Sequence, residues 1–453
     1  MKTMQMKIFL MALVLLVFGV NSNAQNKTWS LDDCIDYALS KNIDIRKSVL
    51  STQENEVNLE QSKANLLPSL SGSVSKNFSW NKELNTETNK YGNLNGSNNT
   101  SYGLSSGVTL FNGFKMKTQI EQAKLNLGSG QYYSESVRES VELNILNAYL
   151  QILYAQENVN NAQEQITSTS EQLALAEERL AVGVISTSDY LQIKSELASE
   201  KLTLADSKST LAIAKVSLMQ LMELPLDDHF EIVSPDMSDL LGVKEKPVSN
   251  AVYLQALEIK PQIKQAALTL ESVRLNEKIA KADLLPTLSL SAGLSTGWSS
   301  QLDGFNYTQQ LKNEVTPNIG LSLSIPIFQN KQARNNIKLA RIAVSDATLD
   351  ETDTRNELRK DIEQAVVDVV TARTQFEASQ EQYESAHESY LVASEKYEQG
   401  LLNSVDFLSI KTDMITSESD LLQAKYNVIF SNKILDFYKG VPISLGSATE
   451  TQP

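Results

Sequence analysis

Ala64-Asn65-Leu66-Leu67-Pro68-Ser69-Leu70-Ser71 turns a helical pattern into a strand pattern at one proline, and it returns as Ala282-Asp283-Leu284-Leu285-Pro286-Thr287-Leu288-Ser289. A second pair repeats with it: Gly183-Val184-Ile185-Ser186-Thr187-Ser188-Asp189-Tyr190-Leu191 and Gly400-Leu401-Leu402-Asn403-Ser404-Val405-Asp406-Phe407-Leu408. Pro68 to Pro286 is 218 positions and Gly183 to Gly400 is 217, so one supersecondary unit has been duplicated whole, in tandem. The fold has to explain a unit that needs a copy of itself.

Downstream of each proline the period is two. Leu70, Val74, Phe78 and Trp80 alternate with Ser69, Ser71, Ser73, Ser75, Asn77 and Ser79, and a second run sets Tyr102, Leu104, Val108 and Leu110 against Ser101, Ser105 and Thr109. The duplicate sets Leu288, Leu290, Leu294 and Trp298 against serines, then Ile319, Leu321, Leu323, Ile325 and Ile327 against Ser322 and Ser324. Each run has one apolar and one hydroxyl-lined face, and its length of about ten residues suits a tilted transmembrane strand. Phe78, Trp80, Tyr102 and Trp298 stand toward strand ends, where a lipid–water girdle would lie. Two soluble hairpins covering a core are the competing reading, weakened by the serine-rich rather than charged opposite face. The stretches Asn81 to Thr100 and Ser299 to Pro317 are expected to be polar external loops. Four strands cannot close a barrel, and an open edge in lipid costs several kcal/mol per unpaired backbone group, so the barrel must be shared among chains.

The segments 113–182 and 330–399 contain no proline and carry apolar residues at helical spacing, such as Leu146, Tyr149, Leu150 and Leu153. Each predicts a helix of roughly 100 Å at about 1.5 Å per residue, which can bury its apolar face only against other long helices. Shorter helices are expected from Ser186 to Met222 and Ser404 to Tyr438, and before each Leu-Leu-Pro from Ile43 to Leu67 and Asn250 to Leu285. Gly128 and Gly130 lie inside the first long helix at a cost of about 1 kcal/mol each, which a bend or close packing would explain.

Residues 1–24 read as a secretory signal, with Lys2 and Lys7 before the apolar run Ile8 to Val20 and Ser22-Asn23-Ala24 at the cleavage site. Nothing later is apolar enough to span a bilayer as a helix. Loss of Lys2 and Lys7 takes the formal charge from −15 to −17, which argues against nucleic acid as a partner. Cys34, the single cysteine, reads as a buried apolar side chain, and His229 and His387 sit in no metal-ligand or triad spacing. No cofactor or metal is expected. The organisation is a signal at 1–24, a first repeat at 25–223 (strands about 68–80 and 101–111, helical hairpin about 113–222) and a linker at 224–249. A second repeat follows at 250–440 (strands about 287–298 and 318–328, hairpin about 330–438), then a tail at 441–453. Pro68, Phe111, Pro286, Pro326 and Phe328 mark the junction of strands and helices.

Signal, helix, strand pair, long helix, glycine turn and return helix, all repeated, resembles the TolC family of outer-membrane efflux and secretion ducts over essentially the whole mature chain. The resemblance implies a homotrimer, a mainly α fold in which twelve strands form one outer-membrane β-barrel above a hollow periplasmic helical cylinder. The segment Leu224 to Ser249 and the tail would belt its middle. It also implies a periplasmic adaptor as partner and, through it, an inner-membrane pump.

The glycine turns would then be the periplasmic tip. On physical grounds Gly183 and Gly400 suit the left-handed position that ends a helix, and Ser186-x-x-Asp189 and Asn403-x-x-Asp406 suit the cap and third residue of the next. By the family motif, Asp406 and Asp189 match the pore constriction, and Asp189 and Tyr397 the contact that closes the tip. Gly183, Val184, Ser186, Gly400, Leu401 and Asn403 match the adaptor-facing surface. Leu402 stands where the family pattern has an arginine and Ser409 where it has a second aspartate, so the closing network should be weaker or differently built. The leading function is a passive exit duct; the alternative is a periplasmic coiled-coil adaptor, disfavoured because such chains return through the same domains as a palindrome. The chain offers no cluster of His, Cys or carboxylates to support an enzyme.

Overall fold

In the computed structural model, which describes residues 28–445 apart from 88, 228, 236–240, 242–247 and 303, the chain passes from helix to strand at both Pro68 and Pro286. The expected signal and the last eight residues of the tail lie outside the described residues, as do residues 228, 236–240 and 242–247 of the linker. In chain order the elements are β1 (Thr28–Trp29), α1 (Leu31–Lys41), α2 (Ile43–Ala64), β2 (Ser69–Asn85), β3 (Lys90–Asn112), α3 (Lys115–Ala181) and α4 (Thr187–Leu221). They continue with β4 (Glu231–Ile232), α5 (Ser249–Ile259), α6 (Pro261–Ala282), β5 (Thr287–Ser299), α7 (Tyr307–Asn313), β6 (Thr316–Ser324), α8 (Gln332–Glu398) and α9 (Ser404–Tyr438). No helix among the described residues is long and apolar enough to cross a membrane.

The compact units are not the sequence repeats. One unit comprises Asp44–Glu139 and Ser249–Glu363; the other comprises the described parts of Met1–Ile43, Ser140–Val248 and Gln364–Pro453. Each repeat contributes to both, because α3 and α8, 67 residues each, are divided between them.

The first of these units holds a four-stranded antiparallel sheet in the order β2-β3-β5-β6. Register places Val74, Tyr102 and Thr296 in one cross-strand row, and Val108, Leu290 and Leu321 in another, so the apolar faces of all four strands coincide. The other face is a hydroxyl ladder, with Ser71 Oγ 2.7 Å from Ser105 Oγ and Ser79 Oγ 2.6 Å from Ser97 Oγ. Four features differ from the sequence expectation. The last strand, expected at about 318–328, spans Thr316–Ser324, so Ile325 and Ile327 lie past its end, where Pro326 has no N–H to continue the ladder. A bulge between Thr109 and Phe111 pairs Phe111 with Leu288 and takes Leu110 out of the apolar row. Residues Asn81 to Thr100 are not a loop: β2 and β3 run on together to the Asn85–Lys90 pair, because a ladder of backbone bonds does not require apolar side chains. Between β5 and β6 the expected loop folds as α7, whose Asn306 and Gln309 cap each other reciprocally.

Four helices of this unit, α2, α3, α6 and α8, keep the order of the strands they adjoin. Ser48 and Thr52 of α2 bond to Ser134 and the Gly130 carbonyl of α3. Gln122 and Asn126 of α3 bond to Asn276 and Ser272 of α6, and Glu277 of α6 takes a 2.9 Å bond from Arg341 of α8. The helix expected across 250–285 is broken at Lys260, since Pro261 has no N–H to continue it and serves as a first-turn residue. The ammonium of buried Lys260 lies 3.2 Å from Glu139, whose carboxyl is held above the usual range by burial, an effect Lys260 partly offsets. Close packing accounts for both helical glycines: a Cβ at Gly130 would lie 2.7 Å from Asn55 and one at Gly128 3.1 Å from Leu268.

In the other unit β1 pairs in parallel with β4, and the Tyr149 hydroxyl donates to the Val233 carbonyl at 2.5 Å. Cys34 is buried there and forms no disulfide among the described residues.

Candidate functional site

The two helical hairpins of the second unit end in like turns. After α3, Val184 N–H bonds the Arg179 carbonyl at 2.9 Å and Gly183 N–H the Leu180 carbonyl at 3.0 Å; after α8, Leu401 and Gly400 do the same with Lys396 and Tyr397 at 2.8 and 3.1 Å. Gly183 and Gly400 take φ of +76° and +74°, the left-handed closure of a helix C-terminus, with nothing within 4 Å of a Cβ built on either. Backbone conformation rather than crowding therefore selects glycine.

The next helices start differently. Ser186 and Asp189 form a full capping box, the Asp189 carboxylate accepting from the Ser186 hydroxyl at 2.7 Å and its N–H at 3.3 Å. At α9 the cap is Asn403, whose Oδ1 accepts from Asp406 N–H at 2.9 Å, while the exposed Asp406 carboxylate takes, among the described residues, only the Asn403 side-chain amide at 2.8 Å. Asp189 caps a helix and also ties two hairpins, because Ser404 Oγ donates to its Oδ1. Those two hydroxyls, Ser404 first, hold its carboxyl below the usual range.

Between the hairpins lies a small apolar core of Ala176, Ile193, Ala393, Tyr397, Phe407 and Leu408. Tyr397 stacks on Phe407 with centroids 4.6 Å apart and 13° between planes. Burial pushes the Tyr397 phenol up, and the Asp189 charge adds to that. Leu402, standing where an arginine was expected, packs against this core, and Ser409 is exposed. The guanidinium comes instead from Arg179, at 3.2 Å from the Tyr397 carbonyl and 2.5 Å from that of Glu398. Sequence reading did not single out Arg179; its one signal is a cation one turn before Gly183, and its target appears only once the two hairpins are set side by side. Higher in the same bundle, Lys411 of α9 lies 2.7 Å from Glu200 of α4 and donates to Thr169 of α3, all three buried. At the turns themselves Val182, Val184, Leu401 and Val405 are exposed, Val182 to 75% and Leu401 to 71%.

The remaining candidates lie in the unit that holds the sheet. Phe78 and Trp80 are exposed on the apolar face, and Tyr307 of α7 joins Tyr102 through a 2.6 Å hydroxyl contact and Trp298 through rings 5.6 Å apart. Pro68 and Pro286 immediately precede β2 and β5. Phe111 meets Phe114 edge to face, Pro326 lines a cavity of about 440 Å³ beside the 2.7 Å Lys115–Asp283 ion pair, and Phe328 is exposed. Of the histidines, His229 is exposed beside Asp227 and His387 packs against Tyr383.

This architecture has known counterparts. The sequence profile of the family described as "Outer membrane efflux protein" matches residues 34–223 and 252–440. The chain is 23% identical over 413 residues to "Toxin and drug export protein A" of Aggregatibacter actinomycetemcomitans, covering 90% of this chain and 86% of that one. It is 22% identical over 183 residues to "Outer membrane efflux protein BepC" of Brucella suis biovar 1 (strain 1330), a match spanning 40% of this chain and only 39% of BepC. Among solved structures, CusC superposes with a TM-score of 0.77 at 21% identity, covering 94% of this chain and 96% of CusC. The CmeC outer membrane channel of Campylobacter jejuni gives 0.74 at 23% identity, with 92% and 86% covered. The chain belongs to the outer membrane efflux protein family: it is an outer-membrane channel, neither an enzyme nor a periplasmic adaptor.

Proposed function

We propose that three copies of this chain close head to tail into one exit duct, which receives cargo from a periplasmic adaptor and an inner-membrane pump and releases it outside. The observation that carries the ring is that sheet and helices are open at the same two edges. Strand order β2-β3-β5-β6 and helix order α2-α3-α6-α8 leave β2 with α2 on one side and β6 with α8 on the other. On α2, Leu50 and Val57 are exposed seven residues apart; on α8, Ile342 and Leu349 are exposed at the same spacing. The bonds of Ser48 to Ser134 and Thr52 to Gly130 set Val57 level with Leu125 and Leu50 level with Tyr132 on antiparallel α3, and the counterparts of those two residues 217 positions on are Ile342 and Leu349, so the stripes fit edge to edge when α8 of one copy lies beside α2 of the next as α3 does. Three copies of four strands give the twelve that remove every open edge from lipid.

The glycine turns form the periplasmic tip in this reading. Gly183, Val184, Ser186, Gly400, Leu401 and Asn403 contact the adaptor, Asp406 and Asp189 ring the constriction, and Asp189 and Tyr397 belong to the closing contact. β1 and β4, the latter within the linker 224–249, belong to a belt around the duct. The test is Leu50→Cys with Leu349→Cys. The two sit on opposite edges of one chain, so oxidation should yield covalently linked trimers on non-reducing gels; monomers alone under conditions that preserve the assembly would reject the arrangement.

A further inference from the structure

The outward face of the long β2–β3 hairpin carries charge of one sign only. From Leu288 to Trp298 the apolar rows of β5 rise about 34 Å along the strand, or about 25 Å once tilted, which is the height of a barrel's lipid band. Trp298 shares its cross-strand row with Thr100 and Lys76, so Lys76 stands at the outer edge of that band. Beyond it the same face presents Phe78, Trp80, then Lys82 paired with Leu94, then Leu84 paired with Tyr91. Along the outward rows of the four strands the charged side chains are Lys76 and Lys82, in a chain of net charge −15. Neither ammonium has an acidic partner among the described residues; Lys76 lies 5.3 Å over the Phe78 ring. The Trp80 indole packs against Gly96, with 3.1 Å from a Cβ built there to the indole nitrogen, and is still 64% exposed.

We propose that this face binds the headgroup of an acidic, phosphorylated glycolipid of the outer leaflet. The choice of occupant follows from height. Lys82 lies six residues past Lys76, about 20 Å along the strand and about 15 Å above the hydrocarbon edge after tilt. A phospholipid headgroup layer is only about 5–8 Å deep on each side, so it reaches Lys76 and not Lys82. A ligand spanning both has anionic groups at two depths with something between them that suits Phe78 and Trp80, and sugar rings stacked on an aromatic platform meet that need. Lys76 pairs with a phosphate at the lipid anchor and Lys82 with an acidic group of the outer saccharide.

The inference rests on the outer-membrane reading, and its test separates the two. Full-length protein in detergent, stripped of co-purifying lipid, is titrated with lipopolysaccharide bearing its phosphorylated core, with the same lipopolysaccharide after dephosphorylation, and with lipid A alone. Lys76→Gln should weaken both probes about fivefold, the worth of one lysine near an anionic surface. Lys82→Gln should weaken only the core-bearing probe by a similar factor, Lys82→Arg should restore it, and Lys90→Gln, on the opposite face, should change neither. Unchanged affinity of the core-bearing probe for Lys82→Gln, equal binding of the dephosphorylated probe, or displacement by millimolar inorganic phosphate would each overturn the proposal. Membrane fractionation of the same variants reads localisation independently, so loss of the glycolipid contact with the protein still in the outer membrane counts against this inference alone.

Discussion

Lys411→Met is expected to loosen the helical bundle near the tip by an amount the structure bounds. Lys411 is 2% and Glu200 5% exposed, and the ammonium is the carboxylate's cationic partner at 2.7 Å. Thr169, 2.6 Å from the same oxygen, also lies 2.9 Å from the Gln165 carbonyl, so its hydroxyl cannot take over the charge. Removing one member of a buried pair costs about 3–5 kcal/mol, because the other is left charged and desolvated. Glu200 Oε2 already has no partner among the described residues, so part of that penalty is present in the native state and the lower figure, about 3 kcal/mol, applies. At 1.4 kcal/mol per tenfold, amides around Thr169, Glu200 and Lys411 should exchange roughly a hundredfold faster in the assembled protein, read by hydrogen-exchange mass spectrometry. Lys411→Met with Glu200→Leu should return exchange close to the native rate, since an apolar pair of similar volume needs no counter-charge. A single variant indistinguishable from native protein, or a double variant as labile as the single, would refute the reasoning.

Asp406→Asn should leave α9 folded, because the cap is the Asn403 side chain, and should lower cation selectivity in planar-bilayer conductance. Three carboxylates repel pairwise by about 0.5 kcal/mol at roughly 8 Å in water, and selectivity equal to wild type would reject the pore role. Glu418, half-buried on α9, is held above the usual carboxylate range by burial first and then by Glu164 of α3, against a smaller opposing pull from His387 of α8. A raised carboxyl favours the folded state below its unfolded pKa and loses that contribution as pH rises through the folded one. Glu418→Gln should therefore raise the thermal midpoint at pH 7 and leave it unchanged near pH 4; equal gain at both would mean that charge is not the cause.

What the sequence made legible was whatever rests on periodicity or on backbone stereochemistry. The two 67-residue helices, the coincident apolar strand faces and the glycine closures at Gly183 and Gly400 follow from spacing and from a φ that only glycine adopts freely. What stayed hidden rests on pairing. The hairpin beyond Asn81 is polar, so no alternation announced it; its ladder is backbone, held by Ser79 against Ser97 and Trp80 against Gly96. Leu110 alternates correctly in sequence and is displaced by a bulge, a fact about its partner strand. The Lys411–Glu200 pair joins positions 211 apart and Arg179 reaches carbonyls 218 and 219 positions away, separations at which local pattern carries nothing.

The duplication sharpens the meaning of these ties, because each has a counterpart 217 positions along that does not repeat it. Arg179 corresponds to Lys396, which is exposed and bonds no carbonyl among the described residues. Asp189 with Ser404 corresponds to Asp406 with Thr187, both exposed. Glu200 with Lys411 corresponds to buried Ser417 and to Lys194, which lies over the Tyr190 ring at 5.8 Å. Every one of the native ties joins the first hairpin of a chain to its own second hairpin. In a three-copy ring the second hairpin also meets the first hairpin of the next copy, and there the counterpart residues are the ones available. A charged hydrogen bond is worth about 1.5–3 kcal/mol, while solvated surface pairs contribute about 0–1 kcal/mol. The proposed duct is therefore fastened within each chain and loosely joined between chains, so that dilation of the tip separates neighbouring copies before it separates the two hairpins of one copy.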